Sequence, residues 1–255
     1  MTARGGRLQG RRALITGSSS GIGRGVAIAF AAEGADVVVN YPDASQAANA
    51  AEVVAAVVAL GRRAIAIPAD VALEADVDRL VDGAVQCLGG LDILVNNAGI
   101  AAASPIEATP VDLWDRTLAV HLRGTFLLTR KVLPLMYAQD FGRIINTASQ
   151  LAYKGSAGFA HYTAAKGAII SMTRSVALEI GPRNVTINSV APGATHTPIL
   201  AGVPDDIMAR VRAGIPRGRI AEVDEIVPAY VFLASDDARH FQGQTLSPNG
   251  GDVFL

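Results

Sequence analysis

One pattern constrains this chain more than any other. Short Val- and Ile-rich runs alternate strictly with longer Ala-rich stretches of helical period. The short runs predict strands at residues 12–16, 36–40, 64–68, 93–96, 143–147, 186–190 and 244–246. Between them the spacing predicts helices at 23–33, 45–60, 74–88, 111–136, 160–180 and 223–234. Such alternation builds a parallel sheet, because each helix carries the chain back over one face to start the next strand. Half of the 255 residues are hydrophobic but only 5% are aromatic. A surplus of small and branched aliphatic side chains suits strands covered on both faces. Two architectures satisfy the pattern, an open doubly wound sheet and a closed eight-unit barrel.

The segment after the first strand favours the open sheet. It reads Thr16-Gly17-Ser18-Ser19-Ser20-Gly21-Ile22-Gly23. Glycine lets backbone turn tightly and approach a pyrophosphate, and the helix that follows aims its first N–H groups at the phosphates. Alone, the same residues also describe an ordinary strand-to-helix turn. Placed after strand one, they mark where a dinucleotide crevice begins. The expectation is an α/β fold of Rossmann type: a doubly wound parallel seven-stranded sheet, helices on both faces, in one domain over 1–255.

The second strand ends in Asn40 and Tyr41, where an acidic side chain would bond the adenosine ribose and select NAD. With no carboxylate to repel a 2′-phosphate, and Ser18 to Ser20 able to bond one, the sequence favours NADP(H); NAD follows if Asp43 swings back. Asp70 and Val71 follow the third strand, where adenine would lie; Asp70 either accepts the adenine amine or caps the next helix. Asn97, Ala98 and Gly99 close the fourth strand. Small residues there admit a cofactor, and Asn97 can bridge strand ends; an ordinary Asn-Gly-type turn is the alternative.

Tyr162 and Lys166 lie four residues apart on a predicted helix and so share a face. An ordinary phenol titrates near pH ~10. A neighbouring cation lowers that value and makes Tyr162 a proton donor or acceptor for a carbonyl or hydroxyl oxygen. Ser149, at the end of the fifth strand, can hydrogen-bond the same oxygen. An amphipathic helix with an exposed Tyr and Lys would look the same in isolation.

Bulk properties exclude several classes. The net charge of −1, without a long charged run, offers nothing for nucleic acid or an anionic membrane. Cys87 is the only cysteine, so no internal disulfide forms and a reducing compartment suits the chain. No signal-type apolar run follows the N-terminus and no membrane span is legible. The expectation is a cytoplasmic protein. The four His lack metal-ligand spacing, so no metal is expected.

Taken together, Thr16 to Gly23, Asn96-Asn97-Ala98-Gly99, Ser149, Tyr162-x-x-x-Lys166 and Pro192-Gly193-x-x-x-Thr197 resemble the short-chain dehydrogenase/reductase family, in its order and spacing. The resemblance implies an NAD(P)-dependent oxidoreductase in which Tyr162 exchanges the proton and Ser149 orients the substrate oxygen. Lys166 would lower the Tyr162 pKa and grip the nicotinamide ribose, and backbone from Pro192 and Gly193 to Thr195 would hold the carboxamide. One position departs from the family. His121, in Val120-His121-Leu122-Arg123-Gly124, stands where an Asn normally holds a relay water. His121 either replaces it in the relay, as a group that titrates near neutrality, or only packs.

Residues 194–219, rich in Pro and Gly and with a short helix at 205–212, suggest a lid. Ile199, Leu200, Val203, Ile207 and Met208, with Tyr153 and Phe159, suggest an apolar pocket or simply pack the lid. The chain is similar to 3-oxoacyl thioester reductases and to sugar or polyol dehydrogenases. A small carbonyl or alcohol substrate follows, with a non-catalytic dinucleotide-binding module as the less favoured alternative. Asp140 and Phe141 replace one basic carrier-docking residue, while Arg183 matches a second. The C-terminal tail, ending Val253-Phe254-Leu255, resembles tails that pack across a subunit interface and implies a homotetramer.

Overall fold

A computed structural model describes residues 6–201 and 203–254; the Met1 to Gly5 segment, Gly202 of the predicted lid and Leu255 of the tail lie outside them. Seven parallel strands form one sheet in the order β3-β2-β1-β4-β5-β6-β7. They are β1 (Arg12–Ile15), β2 (Asp36–Tyr41), β3 (Ala64–Pro68), β4 (Ile93–Asn96), β5 (Gly142–Thr147), β6 (Val185–Val190) and β7 (Thr245–Leu246). β1 pairs with β2 on one side and β4 on the other, so the winding reverses there. The open sheet replaces the barrel alternative because β3 and β7 remain unpaired edges.

Side chains alternate across each strand, and both faces are apolar. Ala13, Ile15, Val37, Val39, Ile93 and Val95 face α1 (Gly21–Ala32), α2 (Ala47–Ala59) and a later helix, α9 (Val223–Ala234), in one core. Leu14, Val38, Leu94, Ile144 and Ile187 face the opposite core with α3 (Glu74–Leu88), α5 (Gly124–Ala138) and α7 (Ala160–Ile180). A shift of one residue in any strand would swap its two faces.

The predicted helix at 111–136 is not continuous. It forms α4 (Val111–Leu118), a π-helical turn over Ala119–Arg123, and α5. The apolar period runs through all three, so the interruption left no mark on it. A π-turn widens the helix by one residue and frees backbone groups. Here the Thr125 hydroxyl donates to the His121 carbonyl at 2.6 Å. Two shorter helices follow the fifth and sixth strands: α6 (Leu151–Lys154) and α8 (Asp205–Gly214). The latter matches the predicted lid helix.

Candidate active site

The predicted site residues lie at the carboxyl ends of β1 to β6, in the loops after them and on the elements that follow, with His121 in the π-turn and Tyr162 and Lys166 on α7. The loop after β1 supplies the glycines. Gly17 has φ +59°, and a Cβ there would sit 2.8 Å from the Ala98 backbone. Gly21 has φ +54°, and a Cβ there would reach within 3.4 Å of the Thr197 side chain. At Gly23 a Cβ would meet the Gly17 carbonyl oxygen at 2.4 Å and the Asn97 amide at 2.5 Å. The loops after β1, β4 and β6 therefore close on one another through residues without side chains.

This cradle fits a dinucleotide pyrophosphate. The twelve-residue helix α1 begins without a side-chain cap on Ser20 and without an acid in its first turn. Its first N–H groups are donors awaiting an anion, and the helix dipole adds positive potential. Half-buried Ser20 borders the cradle. Ser18 does not face it: its hydroxyl is fully buried and donates to the Ile15 carbonyl at 2.7 Å. Ser19 turns to Gln46 at 3.4 Å. Of the three serines expected to reach a phosphate with their hydroxyls, only that of Ser20 has no hydrogen-bond partner among the described residues.

The structure also revises Asn40. Its side chain is buried, accepts from the Gly17 N–H at 3.1 Å and donates to the Ala69 carbonyl at 3.1 Å. It braces the loops after β1 and β3 against each other, and only Tyr41, half-buried, remains at the surface of that strand end. Burial of an unaccompanied amide is costly, so a buried Asn is held by just such backbone bonds. Asp43 stays on its own turn, accepting from Ser45 N–H at 2.8 Å. Asp70 does not cap α3, whose N-cap residue Leu73 has no side-chain partner; it accepts from Ala72 N–H at 3.0 Å within the preceding loop and pairs with Arg116 at 2.8 Å. Val71 is buried beneath Gly124. Asn97 bridges strand ends as expected, donating to the Thr16 carbonyl at 2.9 Å and the Gly17 carbonyl at 3.2 Å.

Sequence reasoning missed Thr16. Its buried hydroxyl accepts from both Asn97 and Ala98 N–H, at 2.9 and 3.0 Å. Also missed was a buried polar row beneath the site. Asn96 donates to Asn146 at 2.8 Å, Asn146 to Thr173 at 2.9 Å, and Thr173 meets Ser189 at 3.0 Å. Asn in otherwise apolar strands was the available signal, since strands disfavour it.

The chemistry gathers around Tyr162. Its ring stands edge-on to His121 at 5.2 Å and to Phe159 at 6.3 Å. Ser149 is buried and accepts from Leu151 N–H at 3.1 Å, which leaves its own proton to donate. Lys166 is fully enclosed, its Nζ 5.6 Å from the Tyr162 ring centre and donating to the Thr147 carbonyl at 2.6 Å. Burial drives the Lys166 pKa down to about 7. Burial also pushes the Tyr162 hydroxyl above its ordinary value, with Ser149 opposing the shift. The expected lowering of the Tyr162 pKa is thus not a property of the chain alone. A desolvated amine that is partly neutral at pH 7 offers little field, and burial of the phenol outweighs it.

His121 is likewise revised. It is buried, and burial together with Lys166 pushes its pKa down to about 3. It is a neutral ring at any working pH, not a group titrating near neutrality. Its Nε2 lies 2.8 Å from the Ile100 carbonyl oxygen and 3.1 Å from the Ile100 nitrogen. Nε2 is satisfied in either tautomer, donating to the carbonyl when protonated and accepting the Ile100 N–H when not, whereas the buried Nδ1 has no partner among the described residues. His161 repeats the arrangement, with Nε2 3.0 Å from the Ala102 carbonyl oxygen and Nδ1 unpartnered.

From β6, the Gly193 N–H donates to the Pro248 carbonyl at 3.0 Å. Thr195 donates to the Gly193 carbonyl at 3.0 Å and Thr197 to the Thr195 carbonyl at 3.3 Å. This run of bonds carries the segment from Pro192 to Thr197 across the crevice to the glycine loop. Ile199 and Ile207, in the segment predicted to form a lid, are 55% and 44% exposed, and Tyr153 is 37% exposed, so apolar side chains of these loops meet solvent. Among the described residues no cluster of His, Cys, Asp or Glu could hold a metal, and no helix is long and apolar enough to cross a membrane.

Residues 17–252 match a family model described as enoyl-(acyl carrier protein) reductase. A (2S)-[(R)-hydroxy(phenyl)methyl]succinyl-CoA dehydrogenase subunit of Thauera aromatica is 39% identical over 96% of this chain and 97% of its own. A 3-oxoacyl-[acyl-carrier-protein] reductase of Synechocystis is 39% identical over 95% and 97%. Among solved structures, a short-chain dehydrogenase of Burkholderia cenocepacia in complex with NADP superposes with a TM-score of 0.88 and 38% identity, over 96% of this chain and 99% of that one. A chain assigned as a short-chain alcohol dehydrogenase of Sinorhizobium meliloti gives a TM-score of 0.91 with 34% identity over 96% of both.

Proposed function

Because the chain belongs to the short-chain dehydrogenase/reductase family, we propose that it is an NADP(H)-dependent reductase of 3-oxoacyl thioesters. The observation that carries this reading is the convergence of Ser149, Tyr162 and Lys166 beside a glycine cradle built for a pyrophosphate. When bound, the reduced nicotinamide supplies a hydride to the carbonyl carbon. Ser149 donates a hydrogen bond to the carbonyl oxygen, and Tyr162 gives that oxygen its proton. Lys166 stands behind the phenol and bonds the Thr147 carbonyl, which fixes its ammonium in the crevice.

NADP(H) is supported by a strand end without a free acid: Asn40 is buried, and Asp43 bonds its own turn. Arg24 is exposed on the first turn of α1 and adds positive charge there. A thioester with an apolar acyl chain is supported by the exposed side chains of Ile199, Ile207 and Tyr153, and a small or coenzyme A thioester is favoured over a carrier protein. Arg183 donates to the Ile180 carbonyl at 2.8 Å and stacks on Tyr137, while Asp140 and Phe141 occupy the other docking position. Loss of absorbance at 340 nm with acetoacetyl-CoA tests the reading, with crotonyl-CoA as the control for double-bond reduction. NADPH should be oxidised with acetoacetyl-CoA only, and NADPH should bind at least tenfold more tightly than NADH. Turnover of crotonyl-CoA alone, or of no carbonyl, would contradict it.

We assign His121 to the relay position because its Nδ1 has no partner among the described residues and lies in the field of Lys166. His121→Ala should lower kcat about tenfold, within the range expected for positioned proton transfer. His121→Asn should restore most of it. The shape of the pH profile should stay the same, because the neutral ring does not titrate between pH 5 and 9. Wild-type rates in both variants would remove His121 from the relay.

A homotetramer completes the proposal. Phe254 is 88% exposed at the C-terminus, and Leu178 is 85% and Phe126 45% exposed on α7 and α5. Uncovered apolar side chains of this size favour a protein partner over water. Sedimentation equilibrium at micromolar concentration should give four times the 26.3 kDa chain mass. A monomer there would contradict it.

A further inference from the structure

We propose that Asp252, in the C-terminal tail, is a positioning residue that holds Ser149 in register for the proposed reduction. This inference rests on that reading of the site. Asp252 lies outside every motif that marks the crevice, yet its carboxylate is 7% exposed. It accepts from Lys154 Nζ at 2.7 and 2.6 Å, one bond to each oxygen, and from Gln150 Nε2 at 2.6 Å. Gln150 is the residue after Ser149 and is itself buried. Lys154 ends α6, whose first residue donates to the Ser149 hydroxyl.

The turn needs this support. α6 is a single turn of four residues without a side-chain cap, broken by Gly155 at φ +71°. An isolated turn of that length does not hold itself, because nucleation fixes several residues for one hydrogen bond. Charge-assisted bonds to a desolvated carboxylate are about twice as strong as neutral ones. The tail that carries Asp252 is in turn held by hydrogen bonds. Asn249 donates to Ser247 at 3.0 Å and to the Val253 carbonyl at 2.8 Å, and accepts from Gly251 N–H at 2.8 Å. The same tail accepts the Gly193 N–H through Pro248, and Gln150 N–H donates to the Pro192 carbonyl at 3.0 Å. One segment therefore fixes both the Ser149 turn and the Pro192-Gly193 backbone. Because the Asp252 bonds reach only the Ser149 side, their loss should disturb catalysis and spare cofactor binding.

The test uses the full-length protein with Asp252→Asn, Lys154→Met, their double variant, and Lys154→Arg. With NADPH and acetoacetyl-CoA, each of the first two should lower kcat about tenfold, with the NADPH Kd unchanged within twofold. The double variant should be no worse than Asp252→Asn, since both single variants remove the same Lys154–Asp252 interaction. Lys154→Arg should keep most of the rate. Hydrogen exchange of the protein without cofactor should be about tenfold faster at residues 150–154 in Asp252→Asn, with the sheet unchanged. Wild-type kcat in both single variants, or unchanged exchange at 150–154, would overturn the role. A wild-type protein that reduces no ketone would overturn the proposed function, and the exchange measurement would still decide for or against the clamp.

Discussion

Gly23→Ala should raise the NADPH Kd at least a hundredfold while leaving the far-ultraviolet circular dichroism of the sheet and helices in place. The added methyl carbon would lie 2.4 Å from the Gly17 carbonyl oxygen, 2.5 Å from the Asn97 amide and 2.9 Å from the Ser18 Cα. Two of those three atoms are backbone, so no rotamer change relieves the clash. The loop after β1 must move away from α1, and the N–H groups at the head of α1 then no longer meet a phosphate. A hundredfold change corresponds to about 2.7 kcal/mol, or two factors of ten. Asn97 would also lose its bonds to the Thr16 and Gly17 carbonyls, which tie β4 to β1. A lowered melting temperature should therefore accompany the loss. Binding of NADPH at wild-type affinity by a folded variant would show that the pyrophosphate lies elsewhere.

Tyr162→Phe should lower kcat by a factor of about a thousand with the NADPH Kd unchanged, in the range expected for loss of a positioned proton donor. The ring remains packed between His121 and Phe159, so the substitution removes an oxygen and little else. Ser149 would survive it, since the Ser149 hydroxyl is held by Leu151 N–H and not by the phenol alone. The residual rate should then be the contribution of hydride positioning and of the Ser149 hydrogen bond. Equal loss in NADPH affinity and kcat would instead assign Tyr162 a cofactor-binding role.

Much of the fold was legible because strand and helix periods differ sharply and the β-α alternation is unbroken. Strand positions matched within a residue or two, and the winding reversal fell where the glycines placed it. The π-turn was not legible, since Leu118, Leu122 and Phe126 preserve a helical period through it. The motif residues were legible as a set, but their individual chemistry was not. Sequence placed Asn40 beside the cofactor, where an acid would meet the ribose, whereas burial turned it into a brace between two loops. It gave His121 the pKa of a free imidazole, whereas enclosure pushes that value to about 3. It treated Lys166 as a full cation lowering a phenol, whereas both groups are desolvated and move away from their charged forms. Each miss has one cause: sequence spacing gives neighbours, and burial sets the charge. The Asp252 clamp had no signal at all, because Lys154 and Asp252 are 98 residues apart.

In the proposed reduction, bound oxidised cofactor and Lys166 together make the Tyr162 phenol acidic, although burial makes it less acidic in the chain by itself. Ultraviolet difference titration of tyrosinate measures this directly, comparing wild type with Tyr162→Phe in the presence and absence of NADP+. One tyrosine, missing in the variant, should titrate above its ordinary value without NADP+ and below it when NADP+ is bound. An identical titration with and without NADP+ would contradict it.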